Sequence, residues 1–304
     1  MTCTKPKDLY VNVRRGQKRK MINVGVSVYS LNDYLMRGKA NLKECIEKIV
    51  GLGVDGIELV DWQLPNYPNP GSYDLRGLRK YVNSLGAKIT CYDFHADFIN
   101  LWHYPKLEDE VKRVKEEIAI ADQLGAKTSR IFVYMFGPLP NGITPEKGYL
   151  RIKKALNMCL PTAEEYNIPM GLEIHPGFYY HSPKWCLKFV EDIGSEYLKL
   201  VPDFSYWAKV TDAVSGMGRF KDVPASLDIF KRCVPYSIHI HGKVYSLSEE
   251  GEEPQIPCKT LISLLKKGGY DGYISIEYEG YCTNPDLDSL KETKKCVDLI
   301  RKHI

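Results

Sequence analysis

Residues 52–62 read LGVDGIELVDW. An apolar residue and a glycine close an amphipathic stretch, a short polar step comes next, and an aliphatic run ends on an acid. Glycine is favoured just past a helix because it takes the left-handed backbone without penalty. A short aliphatic run bounded by polar residues is a strand signal. The phrase recurs in kind as LGAKIT (85–90), LGAKTSR (124–130) and GYDGYIS (269–275). From Met21 onward the chain keeps this rhythm. Strand candidates fall at 22–30, 56–62, 88–94, 128–135, 170–176, 198–204, 236–242 and 273–280, eight in all. Helical stretches lie between them, among them 42–53, 106–125, 148–167, 182–194 and 290–304. Such alternation builds right-handed βαβ units and a parallel sheet. Eight units in about 280 residues close into a barrel. No GxGxxG follows the first strand, which weakens the case for an open, doubly wound sheet. The expectation is a single α/β domain, a (β/α)8 TIM barrel over 21–304, behind a short basic N-terminal extension over 1–20.

The chain has 304 residues, 44% hydrophobic and 26% charged, an ordinary balance for a soluble globular protein. No run approaches the roughly 18–20 apolar residues of a membrane span. The net charge of +4 is misleading until it is placed. Residues 1–20 hold seven Lys or Arg against one Asp, and the body of the chain holds 35 basic and 37 acidic residues. The body therefore has no charge-based reason to bind nucleic acid. Its N-terminus lacks the apolar core of a secretory signal. Nine cysteines stand singly with no CxxC pair, which reads as reduced thiols in a cytoplasmic protein.

Polar residues at the C-terminal ends of barrel strands are where chemistry is expected. Glu58 and Asp61 end the second candidate strand, Asp93 and His95 the third, Glu173 and His175 the fifth, and Asp203 the sixth. The seventh carries His239 and His241 within SIHIHGKVYS (237–246), and the eighth carries Glu277 and Glu279. Side chains at i and i+2 of a strand share a face, so both histidines point one way. Buried carboxylates and imidazoles are costly without a partner. A divalent metal ion unites them: Mn, Zn, Co, Fe and Mg all suit such a donor set. One histidine then meets the metal and the other a substrate or a supporting carboxylate. Plainer roles stand beside these. His103 and His181 read as hydrogen-bonded core histidines, Glu58 as a brace, Glu279 as a loop residue, and Lys243 as a surface lysine.

GIELVDW, LGAKTSRIFV, MGLEIHPG, VPDFSYW, SIHIHGK and GYDGYISIEYEG resemble the xylose isomerase-like barrel superfamily of sugar isomerases and epimerases. The likeness spans 21–304 and keeps the motif order. It implies that Glu173, Asp203, one histidine of the pair and Glu277 bind one divalent ion, most often Mn. In the ketose 3-epimerase branch that histidine is the second of an HxH pair, which implies His241, with His239 as the alternate. The resemblance also shows departures. Where that branch has a Glu, a His and an Arg that clamp the sugar, this chain has Tyr179, Tyr206 and Leu247. Aromatic residues gather instead: Trp62, Tyr134, Phe136, Phe178, Tyr180, Phe204 and Trp207. An aromatic mouth suits a sugar bearing an apolar or aryl group, though some of these rings simply pack helices on strands.

Isomerisation, epimerisation and β-elimination beside a carbonyl all remove a proton from carbon and stabilise charge on oxygen. Glu173 and Glu277 are candidate proton carriers, and His175 is the candidate separate base. Glu58, His95, His239, Tyr206 and Lys243 are candidate substrate contacts. The leading expectation is a metal-dependent sugar or keto-sugar isomerase or epimerase. The alternative is a lyase like the C-glycoside deglycosidase α-subunits, which cleave a 3-keto-C-glycoside and work with a small β-rich subunit. That branch would make a partner subunit, or a homo-oligomer, part of the assembly. An endonuclease IV-like nuclease is remote, because its three-zinc site needs more strand-end histidines than this chain has.

Overall fold

The computed structural model describes residues 21–101, 106–134, 139–209, 214–215, 218–219 and 225–304. The expected extension 1–20, His103 and Phe136 lie outside the described residues. Eight parallel strands form one sheet: β1 (Asn23–Ser27), β2 (Gly56–Val60), β3 (Ile89–His95), β4 (Thr128–Phe132), β5 (Met170–Ile174), β6 (Leu198–Pro202), β7 (Ile240–Val244) and β8 (Tyr273–Tyr278). Their order is β6-β5-β4-β3-β2-β1-β8-β7. Two parallel bridges, Leu200 with Ser237 and Asp203 with His241, bring β6 to β7 and nearly close the barrel. Around it run α1 (Asn32–Met36), α2 (Leu42–Val50), α3 (Leu75–Ser84), α4 (Leu107–Leu124), α5 (Pro145–Tyr166), α6 (Pro183–Ile193), α7 (Leu227–Cys233), α8 (Cys258–Lys267) and α9 (Ser289–His303). The expected TIM barrel is what the chain forms.

The local signals act as the sequence suggests. Asn41 and Glu44 make a reciprocal capping box at the start of α2. That helix buries Leu42, Cys45, Ile46 and Ile49, one face of a 3.6-residue repeat. Each aliphatic side chain buried this way contributes roughly 1.5–3 kcal/mol. Gly125 ends α4 in the left-handed region at φ 74°, and Gly53 takes φ 72° before β2. The glycines of the recurring phrase are therefore turn devices.

One boundary differs from expectation. The sequence pattern places the seventh strand over 236–242, yet its regular pairing begins at Ile240. Val234–Tyr236 form a 3-10 turn carrying Pro235, whose ring fixes φ and removes an amide. Strand pairing survives there only as the Ser237 bridge. None of the eight described cysteines forms a disulfide, and seven of them are buried. Among the described residues no helix is long and apolar enough to cross a membrane.

Candidate metal centre

Parallel register sets polar neighbours side by side on the inner face of the barrel. Asp93 on β3 pairs with Arg130 on β4, and Glu277 on β8 with Lys243 on β7. Glu173 lies near the end of β5, and Asp203 directly follows β6. One donor atom from each of Glu173, Asp203, His241 and Glu277 lies within 4.8 Å of the others, and all four residues are buried. His241 Nδ1 is 2.8 Å from Glu173 Oε1 and 3.5 Å from Glu277 Oε2. Asp203 Oδ1 accepts the Ser205 N–H at 2.8 Å, but its Oδ2 is buried without a hydrogen bond. Two cationic or imidazole groups approach that oxygen, Lys243 Nζ at 3.5 Å and His175 Nε2 at 3.9 Å. An orphaned buried carboxylate oxygen within a cage of three carboxylates and one imidazole fits a divalent ion.

The electrostatics agree with that fit. Burial, with Glu173 and Glu277 nearby, pushes the Asp203 carboxyl up to about 6 against the pull of Lys243. Burial also opposes ionisation of Glu173, but His241 and Arg130 together hold its carboxyl well below the usual range. Burial works against a charged His241, yet Glu277, Glu173 and Glu58 outweigh it and push the imidazole well above its ordinary value. A proton thus sits where a metal ion would compete with it.

Two buried cations and one imidazole brace this cage. Arg130 Nη2 is 3.0 Å from Asp93 Oδ2, and its Nε is 2.9 Å from Glu173 Oε2. Lys243 Nζ lies 2.7 Å from Glu277 Oε2 and 2.8 Å from Glu279 Oε1. His239 Nε2 meets Glu58 Oε2 at 2.6 Å, and the same Glu58 oxygen is 3.4 Å from His241 Nε2. His241 therefore presents Nδ1 to ligand-type carboxylates, while its Nε2, 3.4 Å from Glu58 Oε2, is buried without a hydrogen bond.

At the mouth, His175 Nδ1 is 2.6 Å from the Pro176 carbonyl, a contact that requires the proton on Nδ1. Nε2 is then the lone-pair nitrogen, and burial lowers the pKa so that the ring stays neutral. Phe132 stacks on His95 at 5.5 Å and meets His175 and Phe178 edge-on at 5.6 and 5.1 Å. Tyr29 lies beneath the Lys243 ammonium, 5.6 Å from ring centre to Nζ, and packs edge-on against Trp62 and Tyr281.

A family profile for xylose isomerase-like TIM barrels matches residues 46–303. The chain belongs to that family. A relative from Microbacterium sp, the 3'-dehydrocarminate deglycosidase alpha subunit, is 26% identical over 333 aligned residues that cover 87% of this chain and 90% of the relative. The C-glycoside deglycosidase alpha subunit of Arthrobacter globiformis is 34% identical over 118 residues, 37% of this chain and 30% of its own. Among solved structures, D-psicose 3-epimerase from Clostridium cellulolyticum H10 superimposes with a TM-score of 0.70 at 15% identity, covering 93% of this chain and 99% of that one. At that identity the likeness speaks for the fold alone.

Within this xylose isomerase-like barrel the residues named from sequence divide clearly. Glu173, Asp203, His241 and Glu277 meet in one cage, and His175 stands beside it. Glu58 and His239, named as substrate contacts, are bonded to one another and are 0 and 1% exposed. His95 is half-buried, held by Asp61 at 3.0 Å. Tyr206 is half-buried in the 3-10 turn after Asp203 and packs on Trp207 at 5.6 Å. Lys243 and Glu279 lie inside, not on the surface or a solvated loop. His181 is a core histidine: its Nδ1–H donates to the Glu173 carbonyl and its Nε2 accepts the Val133 N–H. Arg130 is a site residue that the sequence pattern does not single out. Its signal is a charged residue in TSRIF, two positions before Phe132 and on the same strand face.

Proposed function

We propose that this barrel is a divalent-metal-dependent carbon–carbon lyase that opens a 3-keto-C-glycoside by β-elimination, with Mn²⁺ as the ion. The observation that carries the reading is the neutral His175, whose lone-pair Nε2 stands 3.9 Å from Asp203 at the edge of the cage. Relatives named deglycosidase alpha subunits support the substrate class. So do Tyr179, Tyr206 and Leu247, which replace polar groups expected to grip a simple ketose.

Glu173, Asp203, His241 Nδ1 and Glu277 would hold the ion. When bound, it supplies Lewis acidity that polarises the substrate carbonyl and stabilises enolate charge. His175 Nε2 takes the proton from the sugar C2, next to the C3 carbonyl. The C2–H electrons form the C1=C2 bond as the C1–aryl bond breaks. The proton on His175 passes to the departing aryl carbon, and the products are the free aglycone and an unsaturated keto-sugar. In this reading the half-buried rings of Phe178 and of Tyr29, Trp62 and Tyr281 meet a planar aglycone, while Phe132, buried under His95 and Arg130, supports the wall behind them. A small second subunit completes the assembly in this reading.

Incubating the purified chain, with and without Mn²⁺, with a 3-keto-C-glycoside tests the proposal. Aglycone release that disappears in His175→Asn supports it. A second reading, isomerase or epimerase, is favoured by Glu173 and Glu277 lying 2.8 and 3.5 Å from the same His241 Nδ1, two carboxylates close enough together to exchange protons with one substrate. Deuterium uptake at a sugar carbon with no aglycone release would select it.

A further inference from the structure

Lys243 is the cage residue with the most contradictory position. It is 2% exposed, and its ammonium touches Glu277 and Glu279 and approaches Asp203. Two of these three carboxylates, Asp203 and Glu277, belong to the four-residue donor set. A lysine two residues past His241 shares its strand face and reaches the same carboxylates that a divalent ion would need. A full positive charge a few ångströms from that ion is repelled by it, and burial weakens screening.

We propose that Lys243 is a built-in competitor for the divalent ion: its ammonium neutralises Glu277 and Asp203 in the metal-free chain, and the ion enters by displacing it onto Glu279. Glu279 is the receiving partner because it is buried, paired with Lys243 already, and outside the donor set. The lysine thereby sets how tightly the cage holds its metal and keeps the like-charged carboxylates from repelling one another when the metal is absent. This inference rests on the metal reading of the cage given above.

The test is a Mn²⁺ titration of the full chain and of Lys243→Met and Lys243→Gln, following unbound Mn²⁺ by its electron paramagnetic resonance signal. The glutamine variant is neutral but keeps a hydrogen-bond donor for Glu279, in case the methionine variant does not fold. A competitor's removal should tighten binding at least about tenfold in whichever variant folds. A lysine that merely held the carboxylates in place would have the opposite effect, so unchanged or weaker binding in a folded variant overturns the proposal. Binding to the variants alone would support it. Absence of binding in all three chains would overturn the metal reading itself.

Discussion

Arg130→Met is the substitution whose cost the structure sets most directly. The wild-type guanidinium is 4% exposed and compensates two buried carboxylates, Asp93 at 3.0 Å and Glu173 at 2.9 Å. Methionine keeps much of the stem and removes the charge. Breaking a buried ion pair from one side costs about 3–5 kcal/mol. Asp93 limits the loss. Burial and the neighbouring Glu58 already push its carboxyl well above the ordinary range, against the pull of Arg130, so without the cation it takes up a proton. The expected loss is therefore at the lower end, about 3 kcal/mol. In a chain of this size that corresponds to a fall in Tm of roughly 5–7 °C. A carboxyl whose folded pKa is raised stabilises at low pH and loses that stability as pH climbs through the folded value, so the deficit should be smaller at pH 5 than at pH 8. Calorimetry of wild type, Arg130→Met, Asp93→Asn and the double variant at both pH values is the assay. The double variant should show a coupling of about 1 kcal/mol or more between the two sites. A Tm change under about 1 °C at both pH values, with additive double-variant behaviour, would refute the role of Arg130 as the buried counter-charge.

Other consequences can be checked singly. His181 is buried neutral with its pKa lowered to about 3, so it favours the folded state above the unfolded value near 6.5 and loses that contribution as pH falls. His181→Gln should flatten the acid limb of the stability curve by about 1.4 kcal/mol per pH unit between those values, and an unchanged slope contradicts the assignment. His175 has its pKa lowered by burial, so turnover that depends on the neutral ring should be flat above about pH 6.5 and fall only at lower pH. A rate still rising above pH 7 would point to another base. His175→Asn should lower turnover roughly 10²–10⁴-fold while leaving Mn²⁺ stoichiometry unchanged. Ile49→Asp, which places a carboxylate on the buried face of α2, should cost at least about 3 kcal/mol in denaturant unfolding.

The barrel is legible in the sequence because its signals are local. Gly53 and Gly125 mark helix ends, and a strand-length apolar run comes soon after each of them. The cage residues are legible because Glu173, Asp203 and Glu277 sit at strand ends and His241 falls near the end of the β-like run 236–242, and the fold converts those sequence positions into spatial convergence. Pairings across the barrel are not. Glu58 and His239 are 181 residues apart, and no spacing rule reveals their contact. Arg130 escapes a sequence reading because a single arginine in a strand ordinarily faces solvent, and only the β3–β4 register sets it beside Asp93. Lys243 reads toward the surface for the same reason, although its two-residue offset from His241 already places both on one face. The late start of β7 comes from Pro235, which favours a turn over a ladder within an otherwise β-like run.

Glu173, Asp203, His241 and Glu277 together should hold one divalent ion. Metal content by mass spectrometry, after reconstitution with Mn²⁺ and removal of excess, tests it on wild type and Glu173→Gln side by side. Roughly one equivalent per chain is expected in the wild type and a large loss in the variant, with both folded by circular dichroism. A wild type that retains no metal, or a folded Glu173→Gln variant that retains it fully, would contradict the claim.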